Sequence, residues 1–334
     1  FKTLDQVQPR VPLSDATTPG DADARFIITQ PGSYYLTGDL RDLNMDTGIL
    51  ITASDVTIDL MGFTLGGGPD SGYGVRVNTS CDNLTVRNGV VSDWGTGGLD
   101  LAVYNTNGVG TVVENIRAAR NGGVGIYGGT GAIVRGCTSL DNTGSGIAVF
   151  DRGVIEGCIV RLNQGNGVVL RGAGTVRECT SDQNTFAGYH LNDDATIESC
   201  TANDNGTQGF LTIADVAVTG CAANRNGANG FSLGAGSTIA SSTARDNAEH
   251  GFSAANGVSF SGCAARDNTQ RGFSAAVGSS FSDCTASANG TRGFYIGTGI
   301  LENCTARSNG DDGFFVGIGG TITRCNAADN AADT

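Results

Sequence analysis

From residue 121 to residue 330, apolar and polar positions recur every 21 residues, with a single step of 20. Each unit, such as CTANDNGTQGFLTIADVAVTG, alternates short apolar runs with turn residues. It therefore predicts three short strands: one at CTA, one at GFLT after the glycine and one at VAV before the next cysteine position. The inward positions form columns. One contains Val113, Val134, Ile155, Val176, Ile197, Val218, Ile239, Phe260, Phe281, Leu301 and Ile322. A second follows the glycine and runs Ile126, Ile147, Val168, Tyr189, Phe210, Phe231, Phe252, Phe273, Phe294 and Phe314. Equivalent strands of successive units should stack in parallel, giving a three-sided, all-β solenoid of about 21 residues per regular coil.

Two further columns are polar. Cysteine recurs at Cys137, Cys158, Cys179, Cys200, Cys221, Cys263, Cys284, Cys304 and Cys325, with Ile116 and Ser242 filling the same slot elsewhere. Stacked side chains point the same way about 4.8 Å apart, a poor geometry for disulfides, so a ladder of free buried thiols is expected. Asparagine follows five residues later, from Asn121 to Asn330. An inward amide there can bond the turn backbone and its own counterparts above and below, each bond netting about 1 kcal/mol. Both ladders build the tube and perform no chemistry.

The rest of the chain departs from the period. Residues 1–46 are expected to cap the solenoid, with strands at FIITQ and SYYLTG around a Pro31-Gly32 turn. Residues 47–120 form longer, irregular coils, and residues 121–334 the regular ones, in one continuous domain. After Asn330 only AADT follows, so no C-terminal cap is expected. With 53 glycines and 16% charged residues, the composition suits strands joined by tight turns and leaves little room for helices. A net charge of -13, with 20 basic against 33 acidic residues, excludes nucleic acid as a partner. No apolar run is long enough to span a membrane, and no signal peptide stands at the N-terminus. The oligomeric state is open.

The unit VxxCTAxxNxxxGF, preceded by ITQPGSYYLTGDL and GILITASDVTIDLMGFTL, resembles the right-handed parallel β-helix repeats of the pectate-lyase-like superfamily, in its NosD-like, polysaccharide-active branch. That resemblance implies a right-handed parallel β-helix, an extracytoplasmic location, and a polysaccharide or oligosaccharide as partner. It carries no catalytic motif onto particular residues.

Candidate chemistry therefore comes from comparing outward columns. The residue two after the glycine reads Arg76, Asp100, Tyr127, Ala148, Val169, His190, Leu211, Ser232, Ser253, Ser274, Tyr295 and Phe315, with its charged members early. Arg76, Asp100, Tyr127 and His190, with Arg171 in the closing turn, are candidate substrate contacts. The same turns collect Asp151, Asp193, Asp194 and Asp215 as candidate catalytic carboxylates. Asp194 and Asp215 share a slot in adjacent coils, about 5 Å apart, which suits a retaining glycosidase pair. Asp151 and Asp193, two coils apart at about 10 Å, fall near the inverting range. Such carboxylates could also hold Ca²⁺ with Asn192, although no certain cofactor or metal ligand is identified. The plain alternative is that aspartate simply suits turns. A second row, His250, Arg271, Arg292 and Asp312, lies beside Tyr295 on a loop edge and suits an acidic sugar chain. Outward threonines from Thr138 to Thr305 could order water as an ice-binding array does, but Arg245, Arg266 and Arg307 interrupt it. The leading reading is a carbohydrate-active protein that cleaves or remodels a polysaccharide as a lyase or glycoside hydrolase. The alternative is a non-catalytic, glycan-binding surface or matrix solenoid.

Overall fold

The structure, a computed structural model, describes residues 10–102 and 110–332; the first nine residues of the expected cap lie outside them. It is an all-β parallel β-solenoid of about 15 turns and about 21 residues per turn, with no helix among the described residues. The chain divides into two compact units, residues 1–164 and 165–334.

In the first unit, Ala24–Ile28 and Gly32–Tyr35 pair in parallel with Thr47–Ile51 and Val56–Asp59, so strands of the solenoid begin within the segment expected to cap it. Phe26, Ile49, Val75, Leu99, Ile126 and Ile147 form one continuous inward column through these pairings. Tyr34, Ile58, Val86, Val113, Val134 and Ile155 form another, and all twelve side chains are buried. The larger early coils are filled by Trp94, which is 1% exposed and donates its indole N–H to Leu65 O at 3.0 Å. Trp94 also stands in the asparagine slot: its backbone N–H donates to Asn121 Oδ1, as Asn121 and Asn142 donate to the next asparagine. Arg10, Asp59, Arg87, Glu114 and Arg135 alternate in sign across successive coils and pair at 2.6–3.8 Å, with Asp59 itself buried beneath its two arginines.

In the second unit the 21-residue period is almost undisturbed. Tyr189, Phe210, Phe231, Phe252, Phe273, Phe294 and Phe314 stack face to face, with centroids 4.5–5.0 Å apart. Such contacts add about 0.5–1.5 kcal/mol per pair to simple burial. The asparagine ladder is complete where it can be followed: each Nδ2 donates to the next Oδ1 at 2.9–3.0 Å from Asn205 to Asn330. The glycine before each ring is required by this stacking. A Cβ on Gly230 would lie 2.7 Å from Gly251 O and 2.8 Å from Asn247 Nδ2. None of the ten cysteines is in a disulfide, and several donate their Sγ–H to the carbonyl two residues back, as Cys221 does to Thr219 O.

Two turn columns adopt a left-handed backbone. The residue before the cysteine slot has positive φ at Ser199, Gly220, Ser241, Gly262, Asp283 and Asn303, and the residue before the ladder asparagine at Asp204, Arg225, Asp246 and Asp267. Glycine, asparagine and aspartate tolerate that region best, which explains their recurrence beside both ladders.

Candidate functional site

The columns read from sequence are present in the register of the strands, and they separate the candidate residues into three places. In the first unit, Arg76, Asp100 and Tyr127 are adjacent members of one column, followed by Ala148. Arg76 NH1 lies 3.4 Å from Asp46 Oδ2, its Nε 4.0 Å from Asp100 Oδ2, and its guanidinium 4.7 Å over the Tyr73 ring. Burial pushes the Asp100 carboxyl above the usual carboxylate range, against the opposing pull of the Ala102 N–H and Arg76. Among the described residues, the buried Asp100 Oδ1 and Arg76 Nε meet no hydrogen-bond partner. Tyr127 packs at 5.3 Å against Phe150. The sheet is less open than an outward column implies, because Ala148, a small side chain beside that ring pair, is only 2% exposed. Asp151 stands in the following turn, where its carboxylate pairs with its neighbour Arg152 at 3.3 Å.

The second place is the start of the second unit. His190 sits in the sheet between Val169 and Leu211. Burial, and secondarily the charge of Arg171, lowers its pKa. Asp193 and Asp194 are exposed in the turn between Tyr189–Leu191 and Ala195–Glu198, and Asp215 is exposed in the equivalent turn of the next coil. Asp194 and Asp215 have φ of 58° and 51°. The same slot holds Gly236, Gly257 and Gly278 in later coils, all at positive φ, so a left-handed turn accounts for aspartate there. The Asp215 carboxylate lies over the next coil, where a Cβ on Gly236 would meet its Oδ1 at 2.1 Å. Among the described residues, no group of three or more His, Cys, Asp or Glu side chains is placed to hold a metal ion.

The third place, also in the second unit, gathers the most chemistry. His250, Gln270, Arg271, Thr291, Arg292 and Asp311 line a cleft of about 300 Å³. Each comes from the short loop between a ladder asparagine and the following glycine, so the 21-residue period stacks them in neighbouring coils. Tyr295 and Phe315, from the adjoining strands, stack at 5.0 Å and 8°. The guanidinium of Arg271 covers the Tyr295 ring at 3.9 Å, while NH1 donates to Ser274 Oγ at 3.0 Å. Arg292 behaves differently. Its Nε donates to Asp312 Oδ2 at 2.8 Å and lies 3.4 Å from Asp311 Oδ2, and the Asp312 hydrogen bond raises its pKa. It also packs 4.8 Å from the centre of the Phe315 ring. The backbone N–H of Arg271 donates to His250 Nδ1 at 3.2 Å, which leaves the imidazole proton on Nε2. Burial and the neighbouring Arg271 charge lower the His250 pKa, so the ring is a neutral donor near pH 7.

Sequence reasoning picked out His250, Arg271 and Arg292 but not the partners that distinguish the two arginines. Asp312 was visible in the same loop row; the reach of Asp311 and the stacking of Arg271 depend on side-chain direction. A second depression in this unit was also missed. Thr238, Ser259, Ser261, Ser280, Ser282 and Ile300 border a groove of about 320 Å³. It lies on the strands that carry the Ile239, Phe260, Phe281 and Leu301 column, and its hydroxyls occupy the positions flanking that column. A comparison of those flanking positions across coils would have found it.

The chain matches the model of the family described as "Right handed beta helix region" over residues 43–195 and 189–299. No match is found among curated proteins. Solved structures share the fold at low identity. The A-module of the Azotobacter vinelandii mannuronan C-5 epimerase AlgE6 is 13% identical, with 95% of this chain and 88% of that chain covered and a TM-score of 0.52. A double mutant of the periplasmic alginate epimerase AlgG is 12% identical over 96% of this chain and 84% of that chain, with a TM-score of 0.56. A tailspike protein mutant of E. coli bacteriophage HK620, in complex with a pentasaccharide, is 12% identical over 91% and 71%, with a TM-score of 0.54.

Proposed function

Because the chain belongs to the right-handed β-helix family, we propose that it is an extracytoplasmic, carbohydrate-active protein that holds a polysaccharide in the cleft between His250 and Phe315 and cleaves or remodels it. One observation carries this reading. In a protein of net charge -13, Arg271 is spread on an aromatic ring beside a neutral imidazole donor, with a serine hydroxyl as its hydrogen-bonding partner. Aromatic faces, planar donors and a cleft open along several coils are what an extended sugar chain needs, since pyranose rings offer apolar C–H faces and a rim of hydroxyls. The epimerase and tailspike structures support the reading as proteins of this fold whose names and ligand are polysaccharide-related.

A non-catalytic, glycan-binding role is the second reading, and it has a specific observation in its favour. Asp311 and Asp312 both engage Arg292, and Asp194 and Asp215 fill left-handed turn positions. Both aspartates at this end of the cleft are thus engaged by an arginine. The two readings separate on incubation with a panel of neutral and uronate-containing polysaccharides, following new unsaturated ends, reducing ends and changes in sugar configuration. Turnover on any member supports the enzyme. Retention on a glycan column without turnover supports the binding protein, and neither would refute both.

A further inference from the structure

We infer that the cleft recognises one carboxylate group of a uronic-acid residue, with Arg271 as the receptor and Arg292 as part of its wall; this rests on the polysaccharide reading above. The two arginines are one coil apart and look alike in sequence, yet their surroundings assign them different work. Arg292 is neutralised: Asp312 accepts from Nε at 2.8 Å and Asp311 lies at 3.4 Å. Its guanidinium also packs over Phe315, so its planar face and much of its donor capacity are committed. Arg271 has a different set of partners. One N–H goes to the neutral Ser274 hydroxyl, and the guanidinium plane lies on Tyr295.

Stacking fixes the orientation of that plane while leaving the in-plane N–H groups able to meet an acceptor. A planar fork of donors matches a carboxylate in two-point contact, which a lysine or a hydroxyl cannot reproduce. Tyr295 is itself braced from its other neighbour, Phe315, at 5.0 Å. The fork is therefore held before the ligand arrives, which lowers the ordering cost of binding.

His250 extends the same site without adding charge. Its Nδ1 accepts the Arg271 backbone N–H, so Nε2–H is the group available to a ligand. The charge count of the cleft is then simple. Arg271 and Arg292 bring two positive charges and Asp311 and Asp312 two negative ones, both directed at Arg292, and the imidazole is neutral, so the cleft is uncharged overall with Arg271 as the guanidinium that faces no carboxylate within it. Asp311, at the edge of the cleft, disfavours a second anion close by. A sugar bearing a single carboxylate fits this arrangement, and a densely sulfated chain does not.

The test compares binding of the full chain to polygalacturonic acid, to the same polymer after its carboxyls are reduced to primary alcohols, and to a sulfated polysaccharide. The intact protein should bind the uronate polymer at least about tenfold more tightly than the reduced polymer, the scale of one charge-assisted contact. Arg271→Gln should collapse that ratio to near one, whereas Arg225→Gln, at an exposed ion pair outside the lining of the cleft, should retain it. Unchanged circular dichroism of both variants guards against a folding artefact, and Arg271→Lys, which keeps the charge, should recover only part of the ratio. Equal binding of acid and reduced polymer, binding of neither, or preference for the sulfated chain overturns the inference. In the first case the polysaccharide reading stands, and in the second it stands only if another glycan is retained.

Discussion

Replacing Asn247 by alanine should be among the most damaging single changes outside the aromatic core. The side chain is fully buried and makes four hydrogen bonds. Its Nδ2 donates to Asn268 Oδ1 at 2.9 Å and to Ala223 O at 3.1 Å, and its Oδ1 accepts from both the backbone N–H and the Nδ2 of Asn226 at 3.0 Å. Two neighbours keep a partner after truncation: Asn226 Nδ2 still reaches Ala202 O, and Asn268 Oδ1 still accepts from the Asn247 backbone. The Asn226 backbone N–H loses the acceptor it has here. One orphaned buried donor costs about 1–3 kcal/mol and each of the three further lost bonds about 1 kcal/mol, so the expected loss is about 4–6 kcal/mol. Arg225→Ala gives a contrast in the same unit. It removes a two-point ion pair with Asp204 at 2.8 Å, but the pair is exposed, and about 1 kcal/mol or less is expected. Urea unfolding followed by far-ultraviolet circular dichroism measures both. Native-state hydrogen exchange should show the amide of Asn226 losing protection in Asn247→Ala. A loss below about 1 kcal/mol with that amide still protected would refute the view that the ladder is a cooperative structural element.

Other expectations follow from the turns, the histidines and the thiols. Asp194→Asn and Asp215→Asn should each change stability by less than about 0.5 kcal/mol, because asparagine tolerates positive φ, while Asp194→Val should cost about 1–2 kcal/mol in the same unfolding assay. His190 and His250 both have folded pKa values lowered by burial, so the unfolded chain binds more protons just below pH 6.5. Their contribution to stability is therefore complete above pH 6.5 and declines as pH falls through the lowered values, and His250→Gln should flatten part of that slope in a urea titration series. Under native conditions a thiol reagent should modify Cys325, the one cysteine that is not fully buried, well before the other nine. Equal rates for all ten would contradict the buried ladder.

The fold was legible because its determinants are one-dimensional. In a solenoid, a residue's neighbours are its counterparts one period away, so the columns headed by Val113 and Ile126 could be read directly and reappear as strand register. The early coils were harder, since Trp94 takes the asparagine slot with a side chain of unrelated chemistry, and Gly48 and Gly74 make way for it. The site was only partly legible. Sequence placed His250, Arg271 and Arg292 in one row, and the structure sets them around one cleft. Which arginine is neutralised depends on the direction of Asp311 and Asp312, and whether Tyr295 supports a cation depends on its rotamer. Neither quantity has a period. Asp194 and Asp215 illustrate the converse: their shared slot suggested paired chemistry, whereas their φ values reveal a conformational requirement that the later glycines Gly236 and Gly257 meet in another way.

The most direct test of the account is a footprint of the bound glycan on the whole protein. With a uronate oligosaccharide at saturation, hydroxyl-radical labelling should show protection at His250, Tyr295 and Phe315, with the turns at Asp194 and Asp215 labelled as in the free protein. Protection centred on His190 and those turns, or at the Arg76–Tyr127 column, with the cleft unprotected, would contradict it.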